Sequence, residues 1–140
     1  MPEGGKMAQI LIVDDEVDML ALLAMIITEK TNHKATTTNN PLEVPKLIKE
    51  GAFDLLIADL KMPGMDGIEL IDEIRKIDKH IPILIITAYG SLESAEEAIH
   101  KGAYDYITKP FRKEQILIAI NMALEWKEMK REIDNLKKEK

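Results

Sequence analysis

The sequence predicts an α/β protein built on a doubly wound parallel sheet, on the basis of three observations. Strand-like and helix-like segments alternate five times along the 140 residues. Most strand-like segments are continuous runs of β-branched residues and leucine, as in strands that are covered on both faces. Acidic side chains and one lysine follow the ends of these runs, and the carboxyl ends of parallel strands form the edge where ligands bind.

Five segments are predicted as strands, at residues 9–13, 34–38, 55–58, 83–87 and 104–107. The second segment is polar and is therefore expected at an edge of the sheet. Connections between parallel strands are right-handed, with helices on both faces. The flavodoxin-like strand order 2-1-3-4-5 would place the first and third strands side by side at the switch point.

Two helices are predicted from apolar residues that recur at i, i+3, i+4 and i+7. They carry Leu20, Leu23, Ala24 and Ile27 in the first helix, and Leu70, Ile71, Ile74 and Ile77 in the third. The first helix is apolar on its other side as well, which indicates either deep burial or a docking surface for a partner. The residues concerned are Met19, Leu22, Met25 and Ile26.

Capping and breaking residues locate the remaining helix ends. Asn40 and Pro41 predict an N-cap followed by proline at the first helical position. Pro45 removes a backbone donor, so the second helix should start late or irregularly. Gly51 and Gly102 follow helix ends at positions where a positive φ costs glycine little.

The last segment, residues 112–140, contains no glycine or proline and predicts one long helix. Its first part has apolar residues that can pack on the sheet. Its second part has an a/d heptad pattern, which favours a coiled-coil dimer over a solvated helix that frays. The expected organisation is a disordered tail at residues 1–7, a folded domain at 8–124 and a helical extension at 125–140. The heptad residues are Met122, Trp126, Met129, Ile133 and Leu136.

Composition excludes several classes of protein. A net charge of −6 argues against direct contact with nucleic acid. No apolar run approaches the ~20 residues that span a bilayer, so no membrane segment is expected. The absence of cysteine excludes disulfides and is consistent with the cytoplasm. His33, His80 and His100 match no zinc or catalytic spacing and are expected at the surface.

The acidic residues after the strands predict a metal site. Each of them could instead cap a helix, with Asp15 as the candidate for the first helix and Asp66 for the third. If each acid only capped a helix, nothing would explain why residues from three strands meet at one edge of the sheet. The first strand supplies two acids, the third strand one acid and the fifth strand a lysine. Oxygen ligands of this kind suit Mg²⁺, or Mn²⁺ in its place. Asp15 and Asp59 could bind the ion directly, Asp14 through water, and the Lys61 carbonyl could complete the protein ligands.

Such a site suits phosphoryl transfer. Asp59, ionised at neutral pH, would be a carboxylate nucleophile that needs no general base. Lys109 and the metal ion would offset charge on the phosphoryl oxygens during transfer. The hydroxyl of Thr87 could donate to the same oxygens once Asp59 is modified.

These residues together resemble the receiver domain of two-component response regulators, over about residues 8 to 124. Asp14 and Asp15 match the acidic pair, and Asp59 matches the phosphoacceptor. The loop Met-Pro-Gly-Met-Asp-Gly after it, at residues 62–67, is also that of the family. The other matches are Thr87 to the switch hydroxyl, Tyr106 to the switch aromatic residue, and Lys109 with Pro110 to the lysine and its cis proline.

The resemblance implies that Asp59 takes phosphate from a histidine of a sensor kinase. Thr87 would then move toward the phosphate and Tyr106 would turn inward, which reshapes the face formed by the fourth helix, fifth strand and fifth helix. Residues 91–111 are most similar to nitrogen-regulation receivers, which precede ATPase domains that activate the sigma factor sigma-54. In that group a helical linker pairs in a homodimer. The alternative is a stand-alone regulator that acts through protein contacts.

Three rival functions use parts of the same pattern. A phosphatase of the haloacid-dehalogenase type would need Asp-x-Asp after the first strand, whereas Asp14 and Asp15 are adjacent. Flavin binding on the same fold would need hydroxyls there, and the acids would repel a flavin phosphate. A pure dimerisation module would leave the acidic site without a role. The receiver interpretation is favoured over these three. A receiver domain is expected to act as a signalling switch and not as a conventional enzyme.

Overall fold

The computed structural model of the protein describes residues 7–88 and 91–138, and the strands in this part agree closely with those predicted. Four of the five strands have the predicted bounds. The fifth begins and ends one residue later than expected, since Tyr104 lies before it. The strands are β1 Gln9–Val13, β2 Lys34–Thr38, β3 Leu55–Ala58, β4 Ile83–Thr87 and β5 Asp105–Thr108.

Within the described residues the strands form one parallel sheet of order β2-β1-β3-β4-β5, as predicted. The polar strand β2 lies at an edge. Strands β1 and β3 are neighbours, with Val13 opposite Ala58 at their carboxyl ends. This pairing brings the residues after β1 next to those after β3.

Helices cover both faces of the sheet. Before α2, residues Pro41–Glu43 form a 3₁₀ turn, and the Asn40 side chain accepts the Leu42 N–H at 3.1 Å as an N-cap. Pro45 then lies in the first turn of α2, so the predicted late start is confirmed. The predicted tail falls outside the described residues, except for Met7. The helices are α1 Val17–Lys30, α2 Val44–Glu50, α3 Gly67–Ile77, α4 Leu92–Lys101 and α5 Lys113–Lys138.

The core has two layers because successive strand residues point to opposite faces. In β1, Leu11 and Val13 pack with α2, α3 and α4, whereas Ile10 and Ile12 pack with α1 and α5. The central strands are therefore buried on both sides, which explains their continuous apolar sequences. Among the described residues, no helix is both long enough and apolar enough to cross a membrane.

Two helix faces differ from the prediction. In α1, Leu22 and Met25 are exposed as expected for residues off the core face, but Ile26 is buried. In α3, Ile77 was predicted to face the core but is exposed, because it is the last residue of the helix and extends past the sheet. The apolar surface of α1 is thus narrower than the sequence indicated.

The two glycines after helices have different roles. Gly102 has φ of +121°, as predicted. Gly51 has φ of −97°, so the prediction of a positive φ is wrong there. A Cβ at Gly51 would lie 2.7 Å from Phe53 Cε2 and 2.9 Å from the Leu47 carbonyl oxygen. Gly51 is therefore required by close packing rather than by its φ angle.

His33 is buried, which corrects the expectation of a surface residue. The Lys34 N–H donates to the Ala8 carbonyl at 2.9 Å, and this bond places His33 beside the start of β1. The Ala8 N–H in turn donates to His33 Nδ1 at 2.9 Å. Burial lowers the pKa of His33, although the charge of Asp54 opposes this effect.

A lowered histidine pKa predicts acid sensitivity. Because unfolded His33 binds a proton more readily than folded His33, the free energy of unfolding should fall as pH drops below about 6.5. Replacing His33 with glutamine, which keeps an acceptor for Ala8, is expected to reduce this loss. Urea unfolding at roughly pH 7 and pH 5 measures it, with His100→Gln at an exposed position as the control. An equally steep loss in His33→Gln would contradict this assignment.

Candidate functional site

The ends of β1 and β3 bring two buried carboxylates together. Asp14 follows β1 and Asp59 follows β3, with only 2% and 4% of their surfaces exposed. The Asp59 N–H donates to the Val13 carbonyl at 3.3 Å, which continues the pairing of the two strands. Neither apolar strand continues past these acids, so the side chains remain at the sheet edge.

Asp15 completes a cluster of three carboxylates at this edge. One carboxylate oxygen each from Asp14, Asp15 and Asp59 lies within 4.8 Å of the others. Asp15 is exposed, whereas the other two are buried, so the cluster opens toward solvent. Three oxygen donors this close fit a hard divalent cation such as Mg²⁺, which prefers oxygen ligands and keeps several waters.

Lys109 joins this cluster from the end of β5. Its backbone N–H donates to the Thr87 carbonyl at 2.8 Å, which directs the side chain across the end of β4. Lys109 Nζ lies 3.1 Å from Asp14 Oδ2 and 3.3 Å from Asp59 Oδ2. It is also 3.6 Å from Glu16 Oε1, an exposed residue that the sequence did not single out. One ammonium group therefore balances two buried carboxylates.

Burial and the charges in this cluster shift the pKa values of Lys109 and Asp14. Burial alone would lower the pKa of Lys109, but its hydrogen bond with Asp14 and the charges of Asp59 and Asp14 outweigh burial and raise it. Lys109 therefore stays cationic at neutral pH. Burial raises the pKa of the Asp14 carboxyl, while the Glu16 N–H and Lys109 act in the opposite direction.

Backbone donors hold the remaining carboxylate oxygens. Asp14 Oδ1 accepts the Glu16 N–H at 2.9 Å, and Asp59 Oδ1 accepts the Leu60 N–H at 2.6 Å. Helix α1 begins at Val17, and its N-cap residue is Glu16, which makes no side-chain cap hydrogen bond, so the capping interpretation of Asp15 is wrong. Asp66 does cap α3, through the Glu69 N–H at 2.9 Å, as predicted. The bonds from the Glu16 and Leu60 N–H groups fix the orientation of the buried Asp14 and Asp59 carboxylates.

The loop after β3 closes one side of the site. Lys61, Met62 and Pro63 line a cleft of about 540 Å³, and the acidic residues that line it with them are Asp15, Glu16 and Asp59. A Cβ at Gly67 would lie 2.7 Å from the Asp59 carbonyl oxygen and 2.8 Å from Leu60 Cα. Glycine at this position lets α3 approach the backbone of Asp59 closely. Lys61, whose carbonyl was predicted to bind metal, is thus among the residues that line the cleft.

Thr87 and Tyr106 lie on the neighbouring strands. Thr87 ends β4 and is fully buried, one residue beyond Ile86. Tyr106 is opposite Ile85 in the register and is half-buried against the core layer that contains α4. The peptide bond between Lys109 and Pro110 is cis, the isomer that the resemblance implied.

The predicted heptad residues lie elsewhere. Met122, Met129, Ile133 and Leu136 are exposed along α5 and take no part in the acidic cluster. Trp126 is half-buried, and its ring packs against that of Tyr104 at a centroid distance of 5.4 Å, with the two planes tilted by 51°. The sequence assigned Trp126 to the heptad pattern and gave no signal that this residue contacts its own domain.

Comparison with known proteins assigns the family. Residues 10–121 match the response regulator receiver domain family. The chain belongs to this family. The receiver domain is 35% identical over 120 residues to the transcriptional regulatory protein ZraR of Klebsiella oxytoca, covering 86% of this chain and 27% of ZraR. It therefore spans about a quarter of the length of that relative.

Solved structures agree with this assignment. The crystal structure of NtrX from Brucella abortus in complex with ADP superposes with a TM-score of 0.87 at 36% identity, covering 94% of this receiver domain and 30% of NtrX. The beryllofluoride-activated NtrC4 receiver domain dimer, solved in solution, gives 0.81 at 35% identity, covering 85% and 98% of the two chains. The flavodoxin-like receiver fold predicted from the sequence is confirmed.

Proposed function

We propose that this receiver domain is a phosphorylation-controlled switch in which Asp59 accepts a phosphoryl group from a histidine of a sensor kinase. The observation that carries the proposal is the position of Asp59. Its carboxylate is buried at the sheet edge, 3.3 Å from Lys109 Nζ and within the cluster formed with Asp14 and Asp15. In the transfer, a bond from phosphorus to an Asp59 oxygen forms while the phosphorus–nitrogen bond breaks. The imidazole leaves with that electron pair.

The residues around Asp59 suit this chemistry. A carboxylate nucleophile attacks without losing a proton, so the reaction needs no base in the site. Lys109 is positioned to offset charge on the transferred group, because it already contacts Asp59 and remains cationic. The bonds from the Leu60 and Lys61 N–H groups to Asp59 Oδ1 hold the carboxylate in one orientation. Little side-chain reorganisation is then required on attack.

A divalent cation is proposed as the cofactor. Asp14, Asp15, Asp59 and the Lys61 carbonyl would hold it, and the three clustered carboxylates are the donor set that supports this assignment. When bound, Mg²⁺ or Mn²⁺ supplies positive charge that neutralises developing charge on phosphoryl oxygens. Glu16 lines the same cleft and adds negative charge at its rim.

The proposed response to phosphorylation runs through β4 and β5. The Thr87 hydroxyl moves toward the phosphoryl oxygens, which frees space beneath β4 into which Tyr106 turns. Neighbouring positions in the β4–β5 register support this coupling, since Thr87 pairs with Thr108 and Ile85 pairs with Tyr106. The result is a changed surface on α4, β5 and α5.

This surface is proposed to control an output through dimerisation. The relatives are full-length response regulators of the sigma-54 activator type, and the NtrC4 receiver is described as a dimer. The output proposed here is a transcription-activating ATPase domain with a DNA-binding domain in the full-length protein. The alternative is a stand-alone regulator, for which the protein-contact surface is itself the output. The exposed Leu22 and Met25 of α1 support docking of the kinase beside the site.

Acetyl phosphate, a small phosphoryl donor, tests the proposal directly. We expect the protein to gain one phosphoryl group in the presence of Mg²⁺ and none when EDTA removes the metal. Intact-mass spectrometry measures the gain, and mass spectrometry of peptides assigns it to the segment containing Asp59. Incorporation that is equal with EDTA would contradict the metal site, and incorporation elsewhere would contradict the role of Asp59.

A further inference from the structure

The Glu16 side chain lies at the open side of the acidic site. Its Oε1 is 3.6 Å from Lys109 Nζ, the ammonium group that also contacts the buried Asp14 and Asp59. The Glu16 side chain is 66% exposed, whereas the side chains of Asp14 and Asp59 are 3% and 4% exposed. Glu16 therefore contacts Lys109 from the side of the cluster that faces solvent.

Helix capping does not account for the Glu16 side chain. Glu16 is the N-cap residue of α1, but its side chain makes no capping hydrogen bond. Its backbone N–H donates to Asp14 Oδ1 at 2.9 Å, and this bond holds the backbone of Glu16 beside the site whatever side chain it carries. The contact with Lys109 is exposed, so it contributes little to stability. A change of the Glu16 carboxylate should therefore preserve the fold and act on the site.

Glu16 is not placed to bind a metal ion directly. In the described part of the chain, the group whose oxygens all lie within 4.8 Å of one another consists of Asp14, Asp15 and Asp59 and does not include Glu16. Glu16 instead lines the cleft beside Asp15 and Asp59. Mg²⁺ keeps several of its waters when it binds to protein. A carboxylate at the rim can accept hydrogen bonds from these waters, and outer partners of this kind strengthen metal binding.

The same negative charge opposes the approach of an anionic phosphoryl donor. Carboxylates outnumber ammonium groups by four to two among the described residues that line the cleft or belong to the ion pairs of Lys109. A charge at the entrance of the cleft acts over about 8 Å at physiological ionic strength. Because the Coulomb energy is proportional to charge, a dianion is repelled about twice as strongly as a monoanion. The rim charge therefore discriminates between donors by their charge.

We propose that Glu16 is a selectivity residue of this receiver domain, whose carboxylate strengthens binding of the divalent cation and disfavours small dianionic acyl phosphates as phosphoryl donors. The inference rests on the proposed phosphorylation of Asp59 and specifies which donors the site accepts. A docked kinase brings binding energy from contacts outside the cleft, so the rim charge is a smaller part of its binding free energy. Glu16 thereby favours transfer from the kinase over transfer from free acyl phosphates.

Two small donors of different charge test the selectivity. Acetyl phosphate is a dianion at neutral pH, whereas phosphoramidate has a protonated nitrogen and a single net negative charge. With both donors a bond forms between phosphorus and an Asp59 oxygen. The P–O bond to acetate breaks in the first reaction and the P–N bond breaks in the second, and acetate or ammonia leaves with the electron pair. The ratio of variant rate to unsubstituted rate, taken for each donor, therefore reports the effect of donor charge.

Glu16→Gln removes the charge and keeps the size of the side chain. At saturating Mg²⁺ we expect the rate of phosphoryl gain to rise about fivefold with acetyl phosphate and about twofold with phosphoramidate. The rise should disappear in about 1 M KCl, where the Debye length is about 3 Å. Glu16→Asp, which restores the charge on a shorter side chain, should remove most of the rise. Intact-mass spectrometry of quenched samples measures the rates.

Binding of Mg²⁺ is expected to change in the opposite direction. Without the rim carboxylate, the Kd for Mg²⁺ should rise about tenfold, the lower end of the usual cost of losing an outer partner of a metal site. Isothermal titration calorimetry measures this Kd in the absence of any donor. A variant with a damaged site would lose both metal affinity and rate, whereas loss of a rim charge lowers the affinity and raises the rate.

Asp18→Asn is the matched control. Asp18 is exposed in the first turn of α1, so this substitution makes the same change of charge at the same end of the helix without altering the residues that line the cleft. It should change neither the rate ratios of the two donors nor the Kd for Mg²⁺. The same changes in Asp18→Asn as in Glu16→Gln would show that the effect is not specific to the rim.

Three further results would overturn the role of Glu16. They are equal rate ratios for the two donors, a lower rate with acetyl phosphate at saturating Mg²⁺, and an unchanged Kd for Mg²⁺ in Glu16→Gln. Each of them would leave the proposed function intact, provided that the unsubstituted protein gains its phosphoryl group at Asp59. If the unsubstituted protein gained none from either donor, the proposed phosphorylation would fall, and the selectivity of Glu16 would fall with it.

Discussion

Replacing Asp59 with asparagine is expected to abolish the gain of a phosphoryl group from acetyl phosphate. Asparagine has nearly the same shape as aspartate, and its amide oxygen can still accept the Leu60 N–H. It has no carboxylate to act as nucleophile, so no acyl phosphate can form. Intact-mass spectrometry after incubation with acetyl phosphate and Mg²⁺ measures the loss.

Asp54→Asn is the matched control for this substitution. Asp54 directly precedes strand β3 and Asp59 directly follows it, so the two residues lie at opposite ends of the same strand. The control changes the same functional group but should retain the gain of one phosphoryl group. It should also weaken the attachment of α5, since Lys127 loses a charged partner. A normal phosphoryl gain in Asp59→Asn would disprove the assignment of the phosphoacceptor.

Replacing Lys109 with methionine is expected to lower the free energy of unfolding by about 3 kcal/mol in EDTA, because two buried carboxylates lose their common counterion. The Lys109 side chain is 10% exposed, and the side chains of Asp14 and Asp59 are 3% and 4% exposed, so solvent screens this interaction little. Mg²⁺ should recover much of the loss, since an ion that binds only the folded state can replace the missing positive charge. The increase in Tm on adding Mg²⁺ should therefore be larger in the variant than in the unsubstituted protein.

Urea unfolding with EDTA and with Mg²⁺ measures both effects. Lys76→Met is the control, because Lys76 is exposed and its ion pair with Glu73 lies on the surface of α3. The rate of phosphoryl gain in Lys109→Met should fall by roughly 10²-fold, the usual cost of removing one group that stabilises transition-state charge. Unchanged stability in EDTA would show that Asp14 and Asp59 do not depend on Lys109 for neutralisation.

The strands and the acidic site were predictable because both depend on local patterns. Fully buried parallel strands have continuous apolar sequences, and an aspartate marks the end of β1 and of β3. Once the strand order is that of a flavodoxin-like sheet, Asp14, Asp59 and Lys109 must lie at one edge. The family resemblance added the switch roles of Thr87 and Tyr106, which remain predictions.

Other features could be recognised only from the tertiary structure. His33 was expected at the surface, but the parallel pairing of β2 with β1 buries it beside Ala8. Gly51 was expected to have a positive φ, whereas the nearby Phe53 ring is the reason for glycine there. Glu16 gave no signal as a contact of Lys109 because a charged residue in the first turn of a helix is common. Each of these depends on a neighbour that is distant in sequence or set by side-chain packing.

Helix α5 shows most clearly the difference between what could be predicted from the sequence and what depended on the tertiary structure. The sequence by itself determined that a long helix follows the sheet and that its second half carries apolar residues at heptad spacing. Only the tertiary structure decided which side of that helix faces its own domain, because the ion pair of Lys127 with Asp54 joins residues 73 positions apart. A hydrophobic period fixes which side chains share a face, since it depends on helix geometry alone. The direction of that face depends on contacts that exist only after the sheet has formed.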